Sequence, residues 1–183
     1  KMKYLLSSII LVFSLATFSQ DNVKIKTGDK AINFTLKSID GVSLELNKIK
    51  KGKNVVLIVL RGYPGYQCPV CSRQVGQFIS EAESFKNKNA TVLMIYPGPA
   101  KKLEDYANDF SADFDFPDNF HFALDPDYLM TNMYGLRWDA PKETAYPSTF
   151  VINTNDEIVF SKISSTHGGR ASAKEILEEL DKL

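Results

Sequence analysis

The chain has 183 residues, 44% of them hydrophobic and 24% charged, with 22 basic side chains balanced by 22 acidic ones. That length suits one well-buried core and is short for two large domains. A zero formal charge gives no electrostatic reason to expect nucleic acid or an anionic membrane as partner, and eight prolines and ten glycines give no compositional sign of long disorder.

The chain opens with KMKYLLSSIILVFSLATFSQDN: a basic start (Lys1, Lys3), an apolar run over 4–18, then polar residues. This layout predicts a secretory signal peptide over 1–19 and a domain over 20–183. The run is shorter than the roughly 20 residues of a membrane span, and no cysteine follows it to carry a lipid. The expected mature protein is exported to the periplasm, cell envelope or medium, with no stable membrane anchor. Thiols there meet an oxidising environment.

Residues 32–46, INFTLKSIDGVSLEL, alternate apolar and polar side chains around Asp40-Gly41, which predicts a β-hairpin. KIKKGKN (48–54) reads as a basic turn. NVVLIVL (54–60) is a continuous aliphatic run, the pattern of a strand buried on both faces. After a loop rich in aromatics and glycine comes CPVC, holding Cys68 and Cys71, the only cysteines in the chain. From Pro69 onward Val70, Val75, Phe78, Ile79 and Phe85 lie near helical spacing. TVLMIY (91–96) predicts a strand and AKKLEDYANDF (100–110) a helix. Six acids between Glu104 and Asp118 read as a solvated connection. HFALD (121–125) predicts a short strand, and PDYLMTNMYG a helix opening at Pro126 and closing at Gly135. STFVIN (148–153) and EIVFSKI (157–163) predict a second hairpin. SAKEILEEL predicts a terminal helix capped by Ser172, with Glu175 completing a capping box. Strands alternating with helices and a final hairpin imply an α/β fold with a mixed sheet.

Cys68 falls where a buried strand's loop enters a helix. Main-chain N–H groups and the helix dipole stabilise a thiolate there. Cys68, at the open end, is the expected nucleophile. Cys71, one turn inward, is placed to attack a mixed disulfide or a sulfenic acid on Cys68. A static disulfide would close only a tiny loop and gain little. A structural zinc site would need His121 and His167 from distant segments, and a copper site would need the same cysteines plus a histidine. No carboxylate pair, phosphate loop or Ser-His-Asp set stands out. Further on, Tyr146-Pro147 precedes a strand. A Tyr-Pro bond is open to the cis form, and a proline beside the cysteines would leave the Tyr146 backbone free to pair with a substrate chain. His167, in STHGGR, is a candidate base or a surface histidine. Trp138, Tyr63 and Tyr66 are either an apolar rim around Cys68 or ordinary packing.

A strand, a CPxC at a helix start and a later PSTFVIN strand resemble the thioredoxin fold. GDKAINFTLKSIDGVSLEL, LDPDYLMTNMYGLR and HGGRASAKEILEEL narrow the resemblance to the alkyl hydroperoxide reductase/thiol-specific antioxidant family, the peroxiredoxin-like redoxins. The resemblance implies a thioredoxin-like fold, a mixed central sheet flanked by helices with an added N-terminal β-hairpin. It implies thiol chemistry on a peroxide or disulfide substrate and recycling by an external thiol reductant, a thioredoxin-like protein or a small thiol. It requires no cofactor and no metal. It places Cys68 in the attacking position, Cys71 in the resolving position and Pro147 at the active-site cis proline. The expected substrate-binding residues are Arg61, Tyr66, Tyr146 and Pro147. The chain departs from the family where Pro and Thr usually precede the attacking cysteine, because Arg61 and Gly65 stand there. EIVFSK carries no arginine to hold the thiolate. Arg61 is the expected substitute, ahead of Arg137 and Arg170, which read as surface or ion-pair residues. Residues 55–67 also lack the buried acid of thioredoxins. Two other functions fit the same residues: an envelope protein-disulfide reductase of the cytochrome-maturation type, and a non-catalytic or metal-binding module. The expected assembly is a monomer or homodimer, with no nucleic acid.

Overall fold

The computed structural model describes residues 24–183; the expected signal segment lies outside the described residues. The hairpin forms as β1 (Thr35–Ser38) and β2 (Ser43–Glu45), with Leu36 opposite Leu44. A short helix, α1 (Leu46–Lys50), leads into β3 (Asn54–Val59). Next come α2 (Pro69–Ser80), α3 (Ala82–Asn87), β4 (Ala90–Gly98), α4 (Leu103–Ser111), β5 (Phe120–Pro126) and α5 (Leu129–Met133). The chain closes with β6 (Ser148–Ile152), β7 (Ile158–Ile163) and α6 (Ala173–Leu180).

The seven strands among the described residues form one mixed sheet in the order β2-β1-β5-β4-β3-β6-β7. β3, β4 and β5 run parallel; β6 is antiparallel to β3 and β7, and β1 to β5. β3 sits between β4 and β6, and its alternate side chains enter two cores. Val56, Ile58 and Leu60 join Phe78, Phe85, Phe110 and Ile176 from the helices on one face. Val55, Leu57 and Val59 join Met130, Tyr134 and Leu136 on the other. A strand covered on both faces has no use for polar positions, hence the unbroken aliphatic run.

Four local expectations are corrected. KIKKGKN is not all turn: Leu46 and Lys50 are buried in α1, and the Lys50 ammonium pairs with Asp156. Pro126 ends β5 instead of opening a helix. Asp127 and Tyr128 then take left-handed φ of 53° and 63°, and α5 begins at Leu129. Ser172 does cap α6, accepting from the Glu175 N–H at 3.2 Å, but the Glu175 carboxylate turns to Lys162 at 2.8 Å, so only half of the capping box forms. Among the described residues no peptide bond is cis, so Tyr146–Pro147 is trans.

Candidate active site

The loop from β3 to α2 is fixed before it reaches the cysteines. Gly62 has φ +70° and lies so close to β4 that a Cβ would overlap the Pro97 carbonyl oxygen. Glycine alone accommodates both conditions. Tyr63 stacks on Tyr106 of α4, with ring centroids 3.6 Å apart. Gln67 donates to the Tyr106 carbonyl at 2.8 Å and accepts from the Tyr96 hydroxyl of β4 at 3.0 Å. β4 and α4 thereby hold the turn that delivers Cys68.

Cys68 caps α2, with Pro69 as the first helical residue, where its missing N–H is not needed. Both thiols are free and buried, 3% and 1% exposed. Their environments push them in opposite directions. The Cys71 thiol donates to the Cys68 sulfur, the strongest influence on it; the main-chain N–H groups of Cys71 and Val70 and the Arg170 charge add to this. Against the opposing pull of burial they bring the Cys68 pKa down to about 5. Burial and the neighbouring Cys68 sulfur hold the Cys71 pKa well above the ordinary thiol value. At neutral pH the pair is one thiolate and one thiol.

The cation at the thiolate is Arg170, not Arg61. Arg170 Nη2 stands 3.8 Å from the Cys68 sulfur, Nη1 donates to Gln74 Oε1 at 3.0 Å and Nε to the His167 carbonyl at 3.0 Å. Gln74 is itself anchored, donating to the Ala171 carbonyl at 3.2 Å. The Arg61 side chain points elsewhere. It is 2% exposed and donates to Glu143 at 2.8 Å, to the Tyr66 hydroxyl at 2.6 Å and to the Lys142 carbonyl at 2.8 Å. A buried guanidinium needs a carboxylate, and Glu143 meets that need. The other Glu143 oxygen lies 2.9 Å from His167 Nε2, so the His167 ring is a hydrogen-bond partner of Glu143 and not a base facing the thiols.

Tyr66 is 48% exposed and bound to Arg61. The Tyr146 backbone is not free for a substrate strand: its N–H donates to the Leu136 carbonyl at 2.9 Å, and its carbonyl accepts from the Ser148 hydroxyl at 2.7 Å. The Pro147 carbonyl accepts from the Ser164 N–H at 2.9 Å. Trp138 stacks on Tyr146 and tilts against His167, while Tyr63 packs with the core around the cysteines. Arg137 ties down its own loop through the Trp138 and Thr144 carbonyls. Glu143 and Gln74 carry no sequence signal for the roles they take. Arg170 had a weak one, an arginine between a glycine pair and a helix cap.

Residues 27–161 of this arrangement match the AhpC/TSA family. The chain belongs to that family. A Helicobacter pylori protein named as a peroxiredoxin, bcp, is 30% identical over 162 residues, 86% of this chain and 99% of the relative. ResA of Halalkalibacterium halodurans, named a thiol-disulfide oxidoreductase, is 24% identical over 160 residues, 83% of this chain and 81% of the relative. The crystal structure of peroxidoxin BcpB from Mycobacterium tuberculosis aligns with a TM-score of 0.67 and 23% identity, covering 87% of this chain and 98% of that one. This AhpC/TSA protein is therefore a thiol-dependent oxidoreductase on a thioredoxin-like fold with an added N-terminal hairpin.

Proposed function

We propose that this protein reduces peroxides through Cys68 as attacking thiolate and Cys71 as resolving thiol, outside the cytoplasm, and that an external thiol recycles it. The carrying observation is the split environment of the two sulfurs. Cys68 is stabilised as thiolate by Cys71, helix α2 and Arg170, while burial keeps Cys71 protonated. Cys68 attacks the terminal peroxide oxygen. The S–O bond forms as the O–O bond breaks, the alkoxide takes a proton, and a sulfenic acid remains. Cys71 then loses its proton and displaces hydroxide from the Cys68 sulfur, giving water and an intramolecular disulfide. Two equivalents of an external thiol return both cysteines to the reduced form and leave as their own disulfide. Cys68, Cys71 and Arg170 are the working groups of this reading. Export rests on the sequence of residues 1–19, and the assembly is a monomer or homodimer.

A second reading, thiol-disulfide exchange with an oxidised protein, is favoured by one observation. Arg61, the cation expected to hold the thiolate, is taken up by Glu143 and Tyr66, and Gly65 offers no hydroxyl to orient a peroxide. The similarity to ResA supports the same reading. The test is the oxidation rate of reduced protein by hydrogen peroxide. Peroxidase chemistry gives a rate far above that of a free thiol at equal thiolate fraction, none in Cys68→Ser, and oxidation without disulfide closure in Cys71→Ser. A free-thiol rate, with a protein trapped as a mixed disulfide by Cys71→Ala, selects the second reading. Full activity in Cys68→Ser overturns both.

A further inference from the structure

A cleft of about 100 Å³ lies between α2 and the segment joining β7 to α6, lined by Val70, Arg73, Gln74, Gln77, Arg170, Ala171 and Ser172. Two of its walls also face the nucleophile: Arg170 reaches the Cys68 sulfur at 3.8 Å, and the Val70 N–H helps hold its charge. The lining contains two guanidinium groups and no acid. Among the described residues neither arginine has a carboxylate partner. Among those residues Arg170 binds Gln74, the His167 carbonyl and the Cys68 sulfur alone, and Arg73 enters no ion pair. Two arginines lining one small cavity raise a positive potential that an anion relieves. The volume suits a carboxylate with its hydration and not a bulky ligand.

Resting on the proposed Cys68–Cys71 cycle, we propose that this cleft receives the carboxylate of a small anionic thiol, the reductant that reopens the disulfide. The redox state of the pair decides between oxidant and reductant. In the reduced protein the Cys68 thiolate neutralises Arg170. Once the disulfide forms that anion is gone, and Arg170 and Arg73 both lack a counter-charge in the state the reductant must recognise. With its carboxylate on the arginines, the reductant's thiolate attacks the Cys68 sulfur. The new S–S bond forms as the Cys68–Cys71 bond breaks, and Cys71 departs and takes up a proton. A second reductant thiolate attacks the sulfur of the first, releasing the Cys68 thiolate and a free disulfide; two thiols are oxidised and one protein disulfide is reduced. Cys71 is the poorer leaving group, but Cys68 is the sulfur that the cleft adjoins.

The experiment follows reduction of the oxidised protein by 3-mercaptopropionate and by neutral 2-mercaptoethanol, in wild type, Arg73→Ala and Arg73→Glu. Arg73 is exposed on α2, and alanine is the better helix former, so the fold is retained. The expected result is a loss of roughly two- to fivefold for the carboxylated thiol in Arg73→Ala, the scale of an exposed ion pair. Arg73→Glu gives a larger loss, added salt weakens both effects, and the neutral thiol is unchanged. No change with either thiol, or an equal change with both, overturns the anion site while leaving the disulfide cycle intact. A disulfide that neither thiol reduces in wild type overturns the cycle and the site with it.

Discussion

The Arg170 guanidinium holds its place beside Cys68 through two neighbours, Gln74 and the His167 carbonyl, and His167 is in turn held by Glu143. The links from Glu143 to the thiolate are 2.9, 3.0 and 3.8 Å long. A full positive charge near a partly desolvated thiolate favours its ionised form. Replacing Arg170 with alanine is expected to move the Cys68 titration upward by about one pH unit, read from ultraviolet thiolate absorbance against pH. His167 touches no sulfur in this arrangement; its main-chain carbonyl positions Arg170, and its ring anchors that carbonyl through Glu143. His167→Ala is therefore expected to give a smaller upward move in the same titration and no further move when Arg170 is already alanine. A thermodynamic cycle of the two substitutions checks this, because independent sites add and coupled ones do not. Additive shifts would show that His167 acts on the thiol by some other route.

At the scale of elements, the turn between β3 and α2 carries the most constraint per residue. Gly62→Ala must displace the Pro97 carbonyl or abandon a φ of +70°, at a cost of about 1–3 kcal/mol. Urea denaturation is expected to show that loss, and alkylation of Cys68 is expected to change with it, since Gly62 fixes the path into the helix. The buried carboxylate of Asp125 does comparable work for α5, accepting from the Met130 and Thr131 N–H groups at 2.8 and 2.9 Å. Asp125→Ala leaves both donors buried without a partner, and the same denaturation is expected to report a loss of about 1–3 kcal/mol. Elements of this kind differ in how far the sequence discloses them. β3 and the hairpin were legible because burial on two faces, or on one, imposes a period on side chains. The start of α2 was legible because Pro69 suits only a few backbone positions. α1 was not, since a buried Lys50 reads as solvent-exposed until Asp156 arrives from another part of the chain. Pro126 misled because its fixed φ serves a strand end as well as a helix start. The place of Arg61 was hidden for the same reason as that of Lys50: its direction is set by Glu143, 82 residues away in the chain.

For the molecule as a whole, the two cysteines couple oxidation state and the stability of the reduced protein to pH, and their signs are opposite. Cys68 is depressed in the fold to about 5, below the ordinary thiol range near 8.5. The stability it gives the reduced protein is fully present above that range and lost as pH falls toward 5. Cys71 is raised, so its contribution is complete below the ordinary range and declines as the unfolded chain's thiol ionises above it. Between these limits the reduced protein carries one thiolate and one thiol, and reducing the disulfide takes up one proton. Below pH 5 it takes up two. For a two-electron couple each proton changes the equilibrium tenfold per pH unit, which is about 30 mV. Equilibration of the protein with defined mixtures of dithiothreitol and its oxidised form is therefore expected to give a midpoint potential falling by about 30 mV per pH unit from pH 6 to 8. The slope is expected to steepen toward about 60 mV below pH 5, and in Arg170→Ala the break between the two slopes moves to higher pH. A slope near 60 mV throughout pH 6–8 would mean that Cys68 is a protonated thiol there, and that the helix start and Arg170 do not activate it.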